Sequence, residues 1–228
     1  MLADFHTHSF LSDGELLPAE LIRRAQVNGY TLLGISDHAS ASNLEILISS
    51  VRREVELFHR YVDDIRVLIG VELTHIPPAS IPELARQAKT LGAQYVVVHG
   101  ESPVEPVAPG TNAAAVRCDD VDILAHPGLL RMEDAIEAAQ RGIFVEISSR
   151  GGHSLGNGRV VSVGRQAGVK FLINSDSHAP DDLHTPDFVQ TVGFGAGLSA
   201  EEFITITQEN PLFLLQRVGI PCESPILH

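Results

Sequence analysis

The chain has 228 residues, 44% of them hydrophobic, and a formal net charge of -13, which allows one sizeable core and argues against a surface that tracks nucleic-acid phosphates or anionic lipid. Cys118 and Cys222 stand far apart with no CxxC partner, so neither a disulfide framework nor a thiolate zinc site is expected, and a reducing, cytoplasmic compartment is. Strand-like sequence begins almost at Met1 and no apolar run reaches the length of a membrane span, so neither a signal peptide nor a membrane anchor is expected.

In chain order, apolar periodicity predicts strands at Leu2 to His6, Thr31 to Ser36, Arg66 to Glu72, Gln94 to His99, Asp122 to Ala125, Ile143 to Ile147 and Lys170 to Asn174. Between them run helical patterns such as Pro18 to Asn28, Leu44 to Val62, Ile81 to Leu91 and Met132 to Gln140, several closed by a glycine (Gly29, Gly92, Gly142). Strand alternating with helix implies parallel pairing, and seven such units predict an α/β barrel rather than an open sheet. The stretch from Glu101 to Asn112, with three prolines, reads as one long loop after the fourth strand. Ser199 to Val218 reads as helices that close the barrel. No repeat or Pro/Ser linker divides the chain, so residues 1–228 are expected to form a single domain.

The strand ends carry the chemistry. The first ends in His6-Thr-His8 with Asp13 close behind, and in an extended strand residues two apart point to the same side. The second runs into Asp37-His38, the third into Glu72, the fourth into His99, the fifth into His126. The sixth leads into SSRGGHSLGNGR, with Arg150, His153 and four glycines, and the seventh into Asp176-Ser-His178. In a parallel barrel these ends meet on one face. Any one of these histidines alone reads better as a hydrogen-bonded rim residue, but their accumulation at strand ends points to a metal site. Imidazole with carboxylate and no thiolate suits zinc, manganese or iron. His59, His75, His184 and His228 fall off the strand ends and read as solvated surface residues, although the loop holding His184 could fold back over the site.

The ordered motifs DFHTHS, SDG, SDH, GVE, VVHG, AHPG and SDSH, from Asp4 to His178, resemble the polymerase and histidinol phosphatase (PHP) family in its stand-alone form. The resemblance implies a distorted seven-stranded, TIM-like β/α barrel holding two to three divalent ions. It implies that His6, His8, Glu72 and Asp176 hold one ion, that Glu72 bridges to a second on His99 and His126, and that Asp13, His38 and His178 hold a third. Asp4 and Asp37 are then expected either to orient ligand histidines through the far ring nitrogen or to be structural. The amidohydrolase barrel also opens on His-x-His, but it commonly bridges its metals with a late lysine. Here Lys89 lies in a helix and Lys170 at a strand start, so the phosphoesterase reading is preferred.

The expected activity is hydrolysis of a small phosphomonoester, of the histidinol-phosphate type, by a metal-activated hydroxide. Asp13, Glu72, Asp176 and Arg150 form the expected catalytic set. Arg150 is the expected phosphate contact, assisted by His153, although a solvated Arg150 on a flexible glycine turn is the competing account. A nucleotide or cyclic-phosphate phosphodiesterase is the alternative, with specificity in the Glu101 to Asn112 loop. A silent metal-binding module is less favoured, because it predicts missing ligands.

Overall fold

The computed structural model describes residues 1–221; Cys222 and His228 lie outside the described residues. Strands β1 (Ala3–Asp4), β2 (Leu32–Ile35), β4 (Arg66–Leu73), β5 (Tyr95–His99), β6 (Ile123–Ala125), β7 (Phe144–Ser148) and β8 (Phe171–Asn174) pair in that order, all parallel. A short extra strand, β3 (His38–Ala39), continues the line of β2 beside β4. The edges β1 and β8 meet beyond their regular ends, where Asp176 N–H donates to His6 O at 2.9 Å and His8 N–H to Ser177 O at 2.8 Å. The result is the nearly closed barrel of seven parallel strands that the strand spacing predicts.

Helices α1 (Pro18–Val27), α2 (Leu44–Phe58), α3 (Ile81–Leu91), α4 (Thr111–Ala115), α5 (Met132–Arg141), α6 (Asn157–Ala167) and α7 (Pro186–Gly195) follow the strands. Gly92 and Gly142, both at positive φ, close α3 and α5 as their spacing predicts. Helix α2 stops at Phe58, short of Val62, because the chain turns there and His59 Nε2 accepts the Val67 N–H at 3.1 Å, anchoring the start of β4. The glycine-rich stretch is less of a loop than its composition suggests. Gly158 lies inside α6, and Asn157 pins that helix to β7 through both backbone groups of Ser148. Helix α7 starts at Pro186, where Thr185 accepts the Phe188 N–H.

Inside the barrel, Tyr95 is fully buried and donates its hydroxyl to Phe5 O at 2.9 Å. Helices α8 (Ala200–Ile204) and α9 (Asn210–Arg217), joined by a π turn over Thr205–Glu209, lie under the N-terminal end. Leu214 and Leu215 of α9 enter the interior cluster with Phe5, Leu68 and Phe144, and Asn210 bonds Phe171 O. Apolar packing therefore seals the bottom of the barrel and leaves the polar residues to the top. Among the described residues no helix is long and apolar enough to cross a membrane.

Candidate metal centre

At the C-terminal end of the barrel two buried carboxylates face a ring of imidazoles. Glu72, next to the last residue of β4, sets Oε1 3.2 Å from His6 Nε2 and 3.6 Å from His126 Nε2, and Oε2 2.6 Å from His38 Nδ1 and 3.8 Å from His8 Nε2. Asp176, after β8, is divided in the same way. Its Oδ1 lies 3.2 Å from His8 Nε2 and 3.7 Å from His6 Nε2, while Oδ2 lies 3.7 Å from His126 Nε2 and 3.8 Å from His153 Nε2. The sequence reading makes Glu72 the one shared carboxylate; the geometry gives Asp176 an equally central place.

On one side, His8 lies between His38 and His178, with ring centroids 4.2 and 4.1 Å away. Asp13 faces both outer rings, 3.5 Å from His38 Nε2 and 3.3 Å from His178 Nε2. On the other side, His126 stacks on His153 at 4.1 Å and meets His99 edge-on at 4.4 Å. Groups with atoms close enough to share an ion are His6, His8 and Glu72; His6, His126 and Asp176; His8, Asp13, His38 and His178; and His99, His126 and His153. All nine residues expected as ligands are thus brought together. His153, expected only to help with substrate, is instead almost fully buried within the cluster.

Arg150 lies at the mouth. Its Nη1 donates to Asp176 O at 3.2 Å and sits 2.8 Å from His178 Nδ1, and its Nε is 3.8 Å from Asp176 Oδ2. It belongs to the site and is not a free surface arginine.

Several placements correct or extend the sequence reading. Asp4 and Asp37 orient none of the imidazoles expected as ligands. Asp4 accepts the Ser175 and His6 N–H groups, and Asp37 accepts Ser9 N–H and the Ser9 and Ser12 hydroxyls, so both clamp backbone and take the structural role. The orienting carboxylate is Glu146, fully buried in β7, whose Oε2 accepts His6 Nδ1–H at 2.7 Å and is itself held by Asn174. The signal for it was a single acid inside FVEIS, where an outward-facing or core-bordering residue reads equally well. His184 is fully buried, not solvated; it bonds Ser149 Oγ through Nε2 at 2.8 Å and its backbone bonds Tyr30 and Asn28, residues outside the histidine–carboxylate cluster. His75 is half-exposed but packs 4.9 Å from His99 and belongs to the rim of the site.

Charge in this cluster is strongly coupled. Burial lowers the basicity of His6, but Glu146, Glu72 and Asp176 outweigh it and raise its pKa well above the usual value. His38 is raised to about 10 against burial, chiefly by Glu72. His8 moves the other way, to about 3, because burial dominates and its neighbours His38 and His6 are cationic. Three buried carboxylates therefore demand positive charge that protons or metal ions must supply. Cations fit the donor set. His6 Nε2, His8 Nε2 and Glu72 Oε1, which face the centre, are buried without a partner in hydrogen-bond geometry, an expensive state unless a ligand takes their lone pairs; His8 Nδ1, His126 Nδ1 and, outside the cluster, His184 Nδ1 are likewise without one.

The PHP domain model matches residues 4–192. An uncharacterized protein of Methanocaldococcus jannaschii is 51% identical over 218 residues, covering 96% of this chain and all of its own length. Ribonuclease P protein component 3 of Methanococcoides burtonii is 26% identical over 224 residues, covering 91% of this chain and 85% of the relative. Among solved structures, histidinol phosphate phosphatase from Lactococcus lactis, in complex with zinc, L-histidinol and phosphate, superposes with a TM-score of 0.58 at 14% identity, covering 96% of this chain and 94% of the other.

Proposed function

The chain belongs to the PHP domain family, and from that premise we propose that it is a metal-dependent phosphoesterase acting on a small phosphomonoester, with residues 1–228 as one catalytic unit working in the cytoplasm. One observation carries the reading: buried imidazole and carboxylate atoms without partners converge beside Arg150 at the barrel end where such folds place their chemistry. His6, His8, Glu72 and Asp176 would hold one ion, Glu72, His99 and His126 a second, and Asp13, His38 and His178 a third. Asp176, placed between the first two groups, is a further candidate bridge. When bound, divalent zinc, manganese or iron supplies an activated water and offsets the charge of phosphoryl oxygens.

The protein's own part is positioning. Glu146 fixes the His6 ring so that Nε2, not Nδ1, faces the centre. The buried carboxylates draw cations in and keep the site acceptor-rich. Arg150, planar and always charged, reaches a phosphate dianion at the mouth while its Nη1 is steadied by the Asp176 carbonyl. The likeness to histidinol phosphate phosphatase supports the monoester class; a nucleotide or cyclic-phosphate phosphodiesterase is the alternative to it.

The likeness to a ribonuclease P component favours a second reading, an RNA-associated subunit. The net charge of -13 weighs against it, and the full set of ligand types weighs against a silent module. Metal analysis by mass spectrometry, with turnover on a panel of phosphomonoesters, diesters, cyclic nucleotides and precursor tRNA, separates these readings. Two to three ions per chain and monoester turnover are expected, and Glu72→Gln should lose about one metal equivalent and at least ~100-fold in kcat. Trace metal and no turnover on any ester would sink the proposal.

A further inference from the structure

Glu105 stands on the loop between β5 and α4, and its carboxylate reaches back over the centre. Oε2 lies 3.0 Å from His99 Nε2 and 3.1 Å from His75 Nε2, and Oε1 lies 3.3 Å from His153 Nε2. His99 Nδ1 faces Gly100 O at 3.1 Å, which places the ring proton there and turns the Nε2 lone pair toward Glu105. A ring nitrogen and a carboxylate oxygen so close need a proton or a metal ion between them. Two ligands of one ion, each bonded at roughly 2.0–2.1 Å, stand about 3 Å apart, as His99 Nε2 and His153 Nε2 do from Glu105, while His75 Nε2 meets the carboxylate at hydrogen-bond distance.

The backbone gives a second, independent observation. Among the described residues, three that are not glycine adopt positive φ: His75 at 52°, His126 at 23° and Asp176 at 54°. Such conformations persist where the surroundings impose them, commonly at functional sites. Two of the three are proposed ligands. His75, on the loop after β4, shares their strain, and its imidazole meets Glu105 Oε2. The loop that carries Glu105 is itself fixed: Glu101 Oε1 accepts the Gly110 and Asn112 N–H groups, and Asn112 bonds Pro127 O. His75, His99 and Glu105 offer atoms close enough to share one ion.

Resting on the metal reading above, we propose that Glu105 is a loop-borne ligand of the ion held by His99 and His126, and that His75 is the residue that positions its carboxylate. The loop after β5 thereby becomes part of the metal site and not merely its border.

The test is titration of the metal-depleted full chain with Mn²⁺ or Zn²⁺ by calorimetry, with stoichiometry from native mass spectrometry. Wild-type protein that binds no ion would defeat the metal reading itself, whatever Glu105 does. Given binding, Glu105→Gln should weaken one metal equivalent by at least ~10-fold and leave the others unchanged. Glu105→Asp keeps the charge but withdraws the oxygens by one methylene, so weakening of the same equivalent there marks coordination rather than field. His75→Gln should weaken that equivalent less, and add nothing in the Glu105→Gln background. Melting of the metal-free variants checks that the fold is kept. Equal affinities in wild type and both Glu105 variants, or a loss spread over every equivalent, would overturn the proposal.

Discussion

Arg150 shows how a single residue changes meaning once its surroundings are known. In sequence it sits in a glycine-rich run that allows a solvated turn, whereas in the structure its guanidinium is held at the mouth of the centre by Asp176 O. If it grips phosphoryl oxygens as proposed, Arg150→Ala should cost ~2 to 4 kcal/mol of transition-state stabilisation. That is a fall of ~30- to ~900-fold in kcat/KM, with metal content kept. Unchanged kinetics on the best substrate would return the residue to a structural role. His184 changes meaning in the opposite direction, from surface to interior, and burial lowers its pKa to about 4. A neutral buried histidine favours the fold above the unfolded value of about 6.5, and that contribution is lost as pH falls from there toward 4. Denaturation free energies measured across that window should therefore fall less steeply for His184→Gln than for wild type; parallel profiles would refute the assignment.

At the scale of elements, the strands are held in register by how closely they can approach one ring. Tyr95 fills the barrel axis, and a Cβ placed on Gly34 or Gly70 would lie 2.1 and 2.2 Å from its side chain. Neither β2 nor β4 can supply more than a hydrogen there without displacing the tyrosine and the bond it makes to Phe5 O. Gly70→Ala should destabilise the protein by ~1 to 3 kcal/mol through overpacking, read as a lowered midpoint in urea. Tyr95→Phe, which removes only the hydroxyl, should recover part of the loss from Gly34→Ala, whose nearest obstacle is that hydroxyl, and less of the loss from Gly70→Ala, which meets the ring carbon Cζ that phenylalanine keeps. An alanine variant as stable as wild type would mean that the axis is looser than these distances imply.

For the whole molecule, metal loading and folding should be linked. Glu72, Glu146 and Asp176 are buried together, and without cations their charge must be met by protons on neighbouring imidazoles. Ions that bind only the folded chain stabilise it by about 2.7 kcal/mol each at one hundred times Kd. For a chain of this size that amounts to roughly 5 to 10 °C in Tm per ion. Chelator-treated protein should therefore melt lower than protein loaded with manganese or zinc, with the gap growing with metal concentration. Identical melting curves would contradict a buried cation site.

Much of this was legible in the sequence because it is written in short-range patterns. Apolar runs of strand length alternating with amphipathic helices fixed the barrel, and ligand-type residues at strand ends, two of them as His-x-His and Asp-x-His pairs, announced where the site is. A strand end is also a place in space, so the period of the chain predicted convergence without coordinates. What tertiary structure alone decided are relations between residues far apart in the chain whose local sequence carries no mark. Glu146 reads as one acid in an apolar strand, and only the barrel's closure sets it 2.7 Å from His6. Glu105 reads as a loop carboxylate, and only the return of that loop brings it onto His99. His153 and His184 were placed by the fold of loops, whose paths depend on hydrogen bonds to distant backbone rather than on periodicity. Asp4 and Asp37 show the same limit from the other side. Their position beside the histidines expected as ligands suggested orienting roles, but side-chain direction is set by which partners the packed barrel presents, and it presented backbone amides and serine hydroxyls.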